Sequence, residues 1–242
     1  MERERELERE LELEPELEPE LERELELELM ISCLCVTHER HEFMPWVEHQ
    51  FTKQSRCSED ELIIIDSSTI PWVSNVATVV HMPSAPGISE KRTAALSHAQ
   101  GSHITWFDDD DWQSPEKLLR GQDVCDNIAA IGARHASMYS VVSKKCGLYE
   151  SHYEPIIFNS AVYRRSSVPP AFSEHHVVGE DTEWHERWLR SRPTFLTVGE
   201  PLHAWLCHGK NITNKANSRF FEQPCDVPFD DWERAYLKAA FG

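Results

Sequence analysis

The chain has 242 residues, of which 40% are hydrophobic, so it is long enough and apolar enough for one large α/β domain. Its formal net charge of −18 and the lack of a basic patch argue against nucleic-acid binding. No apolar run is long enough to cross a bilayer, and the N-terminus lacks the basic and apolar regions of a secretory signal, so we predict a cytoplasmic protein without a transmembrane segment.

Residues 1–28 form a low-complexity segment in which Glu occupies every even position. Its fourteen Glu are offset by four Arg, so it carries −10 of the net charge of −18. The alternation of Glu with Leu or Arg builds no apolar stripe on a helix, and Pro15 and Pro19 would interrupt either a helix or a strand. We predict a solvated, mostly disordered tail, with a partner-binding or oligomerising arm as the alternative.

The remaining residues, 29–242, alternate short apolar runs typical of buried strands with stretches typical of helices. The predicted strands are 29–36, 61–68, 75–82, 102–107, 136–142, 155–165 and 193–208. The predicted helices are 41–54, 87–101, 114–130, 179–192 and 228–242. The alternation in the first half predicts a largely parallel sheet with helices on both faces, and in such sheets ligands bind beyond the carboxyl ends of the strands.

The seven cysteines contain no CxxC pair. Cys33 and Cys35 lie in an apolar run and are expected to be buried thiols. We therefore predict neither a zinc cluster nor a disulfide framework.

Four consecutive aspartates, 108–111, follow the predicted strand 102–107 directly. Adjacent carboxylates repel one another, and at the end of a strand they are relieved by water, a cation or a helix N-terminus. Carboxylates combined with substrate phosphates are the ligands that Mg²⁺ and Mn²⁺ prefer. A divalent metal site is therefore predicted here, with a solvated acidic turn before the helix 114–130 as the alternative.

The blocks ISCLCVTHER, ELIIIDSS, GISEKRTAALSHAQGSHITWFDDDDWQSPEKL and GEDTEW, in this order over roughly residues 30–210, resemble those of family 2 glycosyltransferases with the GT-A fold. The resemblance implies a Rossmann-like nucleotide-binding half with a mostly parallel central sheet, residues 29–113. It also implies a smaller acceptor-binding half, residues 114–242.

The implied activity is inverting transfer of a sugar from a nucleotide-diphosphate donor to an acceptor hydroxyl. A UDP-sugar is the expected donor, Mn²⁺ or Mg²⁺ the expected metal, and a carbohydrate, a lipid or a small molecule the acceptor. Two alternatives stay open, a non-catalytic sugar-nucleotide-binding or scaffold protein and a nucleotidyltransferase. The segment VTHERHEF contains no glycine, which disfavours the second because that class needs a Gly-rich phosphate loop.

The resemblance assigns roles to individual residues. The expected contacts with the nucleotide sugar are Thr37, Glu39, Asp66, Lys91, Arg92, Asp108 and Asp109. The expected metal ligands are Asp110 as first choice, Asp108, Asp111 and His208. His208 equally fits an ordinary core or surface histidine.

Asp181 is the expected catalytic base and Glu180 the second choice, because both lie in GEDTEW. A helix N-terminus keeps a carboxylate ionised, as a base requires. Favourable interaction with the helix dipole alone is the alternative explanation for both acids. The first loop reads His38–Glu39–Arg40, where the family often has an aromatic residue and Asn before Arg, so the donor stays open. The oligomeric state is also left open.

Overall fold

The computed structural model describes residues 30–55, 60–84, 87–124, 127–151, 155–173, 179–208 and 226–241. The predicted acidic tail, residues 1–28, lies outside these described residues. The described strands are β1 (Ile31–Thr37), β2 (Glu61–Asp66), β3 (Thr78–His81), β4 (His103–Trp106), β5 (Trp112–Gln113), β6 (Ala130–Ala133), β7 (His135–Ser140), β8 (Lys145–Glu150), β9 (Val162–Arg164), β10 (Phe195–Val198) and β11 (His203–Cys207).

The described α-helices are α1 (Met44–Thr52), α2 (Ile88–His98), α3 (Lys117–Gly121), α4 (Glu180–Arg190) and α5 (Asp231–Phe241). Short 3-10 helices cover His41–Phe43, Phe158–Ser160 and Arg165–Ser167. None of the helices in the described part of the chain combines the length and the apolarity needed to cross a bilayer.

The larger sheet has seven described strands in the order β10-β6-β9-β4-β1-β2-β3. Only β9 runs antiparallel to its neighbours, β4 and β6, so the predicted α/β fold with a mostly parallel sheet is confirmed. All seven residues of β1 are buried, because β1 is paired on both edges and covered on both faces. Its apolar sequence, ISCLCVT, is typical of such a central strand.

The smaller sheet has the described order β5-β11-β7-β8. Strands β7 and β11 are parallel, whereas β5 and β8 run antiparallel to their partners. Strand β5 begins one residue after the aspartate run, so that run joins the two sheets.

The two sheets position the second half of the chain differently from the sequence prediction. The predicted helix 114–130 is wrong beyond Gly121, because Ala130–Ala133 forms β6 between β10 and β9. The predicted strand 193–208 is two strands, one in each sheet. Strand β8 escaped prediction because its one buried residue is Gly147, which leaves no apolar pattern to detect.

The cysteines agree with the prediction in part. Cys33 and Cys35 are buried free thiols in β1. Cys146, on β8, is disulfide-bonded, so the prediction of thiols alone is wrong for this residue.

Candidate active site

The strands of the larger sheet bring the predicted site residues to one edge. Thr37 ends β1 and lies beside Asp66, which ends β2. Strand β4 pairs with β1 on its other side and ends at Trp106, two residues before Asp108. The carboxyl ends of three neighbouring parallel strands therefore meet here, as expected for a ligand-binding edge.

Arg40 bridges two consecutive members of the aspartate run. Its guanidinium Nη1 lies 2.8 Å from Asp109 Oδ1, and its Nη2 lies 2.6 Å from Asp110 Oδ2. Asp109 also accepts a 2.8 Å hydrogen bond from the Thr37 hydroxyl, and the same oxygen of Asp110 lies 3.1 Å from His208 Nε2. The first loop and β11 thus converge on these two carboxylates.

Asp109 and Asp110 respond to this environment in opposite directions. Burial, followed by the neighbouring charge of Asp110, raises the pKa of Asp109 to about 8, even though Arg40 and Thr37 favour its ionised form. Burial also opposes ionisation of Asp110. There the hydrogen bonds from His208 and Arg40 outweigh burial, and the pKa of Asp110 is lowered.

Asp108 points to the opposite side of the run. Its Oδ1 accepts a 3.2 Å hydrogen bond from Arg92 Nη2, and its Oδ2 accepts a 2.6 Å bond from Asn159 Nδ2. Lys117, fully buried, donates to the carbonyl oxygens of Trp106 and Asn159 and so fixes the loop beneath Asp108. Burial lowers the pKa of Lys117 to about 7.

Asp111 turns away from the other three aspartates. Its Oδ1 accepts a 3.3 Å hydrogen bond from the Leu206 amide, and its Oδ2 lies 3.3 Å from His203 Nε2. Its carbonyl oxygen accepts a 2.7 Å bond from the Trp46 indole. Asp111 thereby holds β11 and α1 against the end of the run.

Arg92 links the aspartate run to α4. Its Nε lies 3.5 Å from Glu180 Oε1, while Nη2 donates to Asp108. The guanidinium is buried over three aromatic rings, at 5.1, 5.1 and 5.7 Å from the centroids of Trp106, Phe158 and Phe172. Burial opposes the charge, but Asp108 and the acids of α4 raise the pKa of Arg92 above its usual value.

Glu180 and Asp181 occupy the first turn of α4. Gly179 precedes them with a φ of +81°, a left-handed conformation that glycine adopts without strain and that directs the chain into the helix. Glu180 is buried, and this burial raises its pKa although Arg92 counteracts it. Asp181 is half-buried, and its Oδ1 accepts a hydrogen bond of 2.7 Å from the Thr182 amide. Asp181 is therefore the more accessible carboxylate of the two.

The predicted nucleotide contacts lie around the ends of β1 and β2. Lys91 donates from Nζ to the Thr37 carbonyl at 3.1 Å. Glu39 has a φ of +49° and accepts a hydrogen bond from the Thr69 amide, which lowers its pKa and ties the first loop to the loop after β2. Asp66 is fully buried and accepts hydrogen bonds from the amides of Ser68 and Trp72.

Sequence reasoning brought most of these residues to the same edge but missed several that hold them. Arg40 was noted only as part of the first loop, and it lies 70 positions from Asp110, so no local signal linked the two. Asn159 and Lys117 carried no signal, because their contacts with the run depend on tertiary packing. Asp110 and His208 come together at 3.1 Å, whereas the Asp108 carboxylate is bonded to Arg92 and Asn159. The carboxylates are of the ligand type that Mn²⁺ and Mg²⁺ prefer.

The glycosyl transferase family 2 model matches residues 49–145, which include the aspartate run and end before Glu180. No curated protein sequence matches the chain significantly. The first 349 residues of S. aureus TarS in complex with UDP superpose with a TM-score of 0.58 at 15% identity, covering 74% of this chain and 61% of that one.

A mannosyltransferase from Pyrobaculum calidifontis, PcManGT, in complex with GDP-Man and Mn²⁺, superposes with a TM-score of 0.53 at 11% identity, covering 75% of this chain and 58% of that one. This chain thus spans only about three fifths of the length of these solved chains. At such identities the likeness establishes the fold, which is the GT-A fold. Residues 49–145 thus match the glycosyl transferase family 2 model, and the chain shares its fold with these solved proteins.

Proposed function

We propose that the chain transfers a sugar from a nucleotide-diphosphate donor to an acceptor hydroxyl, with inversion and with a divalent metal at the aspartate run. The observation that carries the proposal is that the Arg92 side chain contacts both the aspartate run and α4. Arg92 contacts Asp108 at 3.2 Å and Glu180 at 3.5 Å, so the predicted donor motif and the predicted base motif lie on the same edge of the sheet. A group-transfer site needs both within reach of one substrate pair.

The donor side of the proposal is supported by the solved structures with the same fold. One is the TarS complex with UDP, another is TarS with UDP-GlcNAc, and a third is the mannosyltransferase with GDP-Man and Mn²⁺. We assign the nucleotide to the edge formed by Thr37, Glu39, Asp66 and Lys91. Lys91 supplies a cation there, although burial lowers its pKa.

We assign the metal to Asp110 and His208, which lie 3.1 Å apart, whereas Asp108 is bonded to Arg92 and Asn159. Asp111 is left out of this set because its carboxylate is bonded to β11. When bound, Mn²⁺ or Mg²⁺ would offset the charge of the diphosphate as it leaves. Arg92 is likewise assigned to the support of Asp108 rather than to the diphosphate, because it is boxed in by aromatic rings.

We assign Asp181 as the base that accepts the proton of the acceptor hydroxyl while the oxygen attacks the anomeric carbon. The nucleoside diphosphate leaves from the opposite face of that carbon, which inverts its configuration. Asp181 lies in the first turn of α4 and is half-buried, so its carboxylate can be reached by an acceptor. Glu180 is the second choice, since its burial beside Arg92 restricts its reach. The acceptor, a carbohydrate, a lipid or a small molecule, is assigned to the half formed by residues 114–242.

A two-step experiment tests this function. Thermal shift with a panel of UDP- and GDP-sugars, with and without MnCl₂, should reveal one donor that raises the melting temperature, because a ligand of the folded state stabilises it. That donor should then be hydrolysed slowly to the nucleoside diphosphate. The Asp110→Asn variant serves as the control and should lose the part of the shift that depends on Mn²⁺. No stabilisation and no hydrolysis across the panel would contradict the proposal.

A further inference from the structure

Arg40 contacts the aspartate run at Asp110, the residue we assign as metal ligand. Its two Nη atoms bind one oxygen each of Asp109 and Asp110, at 2.8 and 2.6 Å. The guanidinium also lies over the Phe43 ring, 4.4 Å from its centroid. Such a two-point contact across adjacent carboxylates neutralises the repulsion that a run of aspartates creates.

Arg40 and a bound metal ion would compete for one atom, Asp110 Oδ2. Asp110 Oδ2 already faces Arg40 Nη2 at 2.6 Å and His208 Nε2 at 3.1 Å. A divalent cation bound to that oxygen at the usual distance of about 2.1 Å would stand in contact with the guanidinium, and two cations at such a distance repel strongly. The two cations therefore compete for Asp110 Oδ2.

The carboxylate oxygens of Asp109 and Asp110 are placed to bind the Arg40 guanidinium. A compact metal site needs at least three ligand atoms close together. Among the residues that the structure describes, one set of three acidic, His or Cys side chains has ligand atoms within 4.8 Å of one another. That set is His49, Asp230 and Glu233, which lies outside the aspartate run. The run is thus ordered around arginine, and its metal ligands come together only after rearrangement.

The loop that carries Arg40 can supply this rearrangement. Residues 38–40 lie between β1 and the first 3-10 helix and belong to neither. The same loop carries Glu39, a predicted nucleotide contact. Departure of Arg40 from Asp110 would therefore move the loop that faces the donor.

We propose that Arg40 is a built-in counter-cation of the metal site, which a divalent ion must displace from Asp110 before it can bind. This inference rests on the proposed function, since it takes Asp110 as the metal ligand. It predicts that the chain without nucleotide binds Mn²⁺ weakly and that loss of the Arg40 charge strengthens this binding.

The test is a titration of the full chain with Mn²⁺ alone, followed by electron paramagnetic resonance of the free ion. Arg40→Met should bind Mn²⁺ about tenfold more tightly than the wild type, because the competing charge is gone. Arg40→Lys, which keeps the charge, should stay close to the wild type. Adding Asp110→Asn to Arg40→Met should abolish the gain, which locates the ion at Asp110.

A second pair of variants protects the test from a folding defect. Arg40→Met removes the guanidinium bound to the buried Asp109, so we also compare Asp109→Asn with the double variant Arg40→Met/Asp109→Asn. The double variant should again bind Mn²⁺ about tenfold more tightly than its parent. Equal or weaker binding in folded Arg40 variants would overturn this inference alone. Failure of every chain to bind Mn²⁺ would overturn the proposed metal site and this inference together.

Discussion

Two acidic clusters of the molecule look alike in composition but differ in their place in the fold. The aspartate run contains Asp109 and Asp110 with Arg40 and His208, at the carboxyl ends of parallel strands. The other, the α5 cluster, contains Asp230 and Glu233 with Lys53 and His49.

The α5 cluster satisfies its charges with neighbours on two helices. Lys53 Nζ lies 2.5 Å from Glu233 Oε1 and 3.2 Å from Asp230 Oδ2. The amides of Asp230 and Glu233 each donate to the other's carboxylate, so the two acids also cap α5. We infer that this cluster fixes α5 against α1, whereas the aspartate run is held by a loop and can exchange its cation. A set of metal-ligand residue types is therefore insufficient evidence for a metal site.

The largest expected effect comes from Asp181 at the start of α4. Asp181→Asn should lower the transfer rate about 1,000-fold, because an amide cannot accept the proton of the acceptor hydroxyl. The measurement is single-turnover transfer from the donor identified by thermal shift. Affinity for nucleoside diphosphate with Mn²⁺ should change little.

The matched control for this prediction is Asp230→Asn, since Asp230 also precedes a helix but belongs to the α5 cluster. Its transfer rate should stay within a few-fold of the wild type under conditions where the chain is folded. Comparable loss of transfer in both variants would remove Asp181 from the role of base.

The next largest effect is expected on stability at the α5 cluster. Glu233→Gln should lower the free energy of unfolding by about 3 kcal/mol, because Glu233 is fully buried and its charge compensates Lys53. Urea unfolding at neutral pH measures this loss. A change below about 0.5 kcal/mol would show that the cluster does not fasten α5 to α1.

A smaller, pH-dependent effect is expected at His185 in α4. Burial lowers the pKa of His185 to about 4, and neither ring nitrogen has a hydrogen-bond partner among the described residues. The unfolded chain therefore takes up this proton first as the pH falls, and stability is lost between about pH 6.5 and pH 4.

Comparison with His185→Phe isolates this contribution from that of the acidic groups. The ring of the variant suits the surrounding aromatic side chains, Phe158, Tyr163 and Trp188. The wild type should lose about 2 kcal/mol relative to the variant between pH 6.5 and pH 4.5. Parallel stability curves over this range would contradict the burial of an unpaired histidine.

The smallest effect is expected for metal binding at the α5 cluster. His49→Ala should leave the affinity for Mn²⁺ unchanged, because the Lys53 ammonium already lies between the two acids. The measurement is the same Mn²⁺ titration used for Arg40. A weakened affinity would show that the α5 cluster, rather than the aspartate run, binds the ion.

Much of the first half of the fold could be predicted, since β1, β2, β3 and β4 are each marked by a local apolar run. The second half was harder to predict. Strand β6 was missed, since the predicted helix 114–130 took in its first residue and the rest was assigned to no element. Its pairing with β9 and β10 defines it. Strand β8 is defined by its backbone bonds to β7, for which its side chains give no pattern.

In the candidate site, too, some residues could be predicted from local sequence and others depend on tertiary contacts. Asp108, Asp110 and Asp181 could be named from motifs, because acids at strand ends and helix starts have a physical reason to be there. Of their partners, His208 was named from the family resemblance, whereas Asn159 and Arg40 were not. Asn159 lies 51 positions from Asp108 and His208 lies 98 positions from Asp110, and nothing local connects them.

The sequence by itself determined the alternation of strands and helices in the first half of the chain, because apolar periodicity and turn chemistry act over a few neighbouring residues. The tertiary structure decided which charges meet. It turned Asp111 toward β11, enclosed Arg92 in aromatic rings and set Arg40 across Asp109 and Asp110. These outcomes depend on electrostatic contacts between loops far apart in the chain, whose distances only the packed sheets fix.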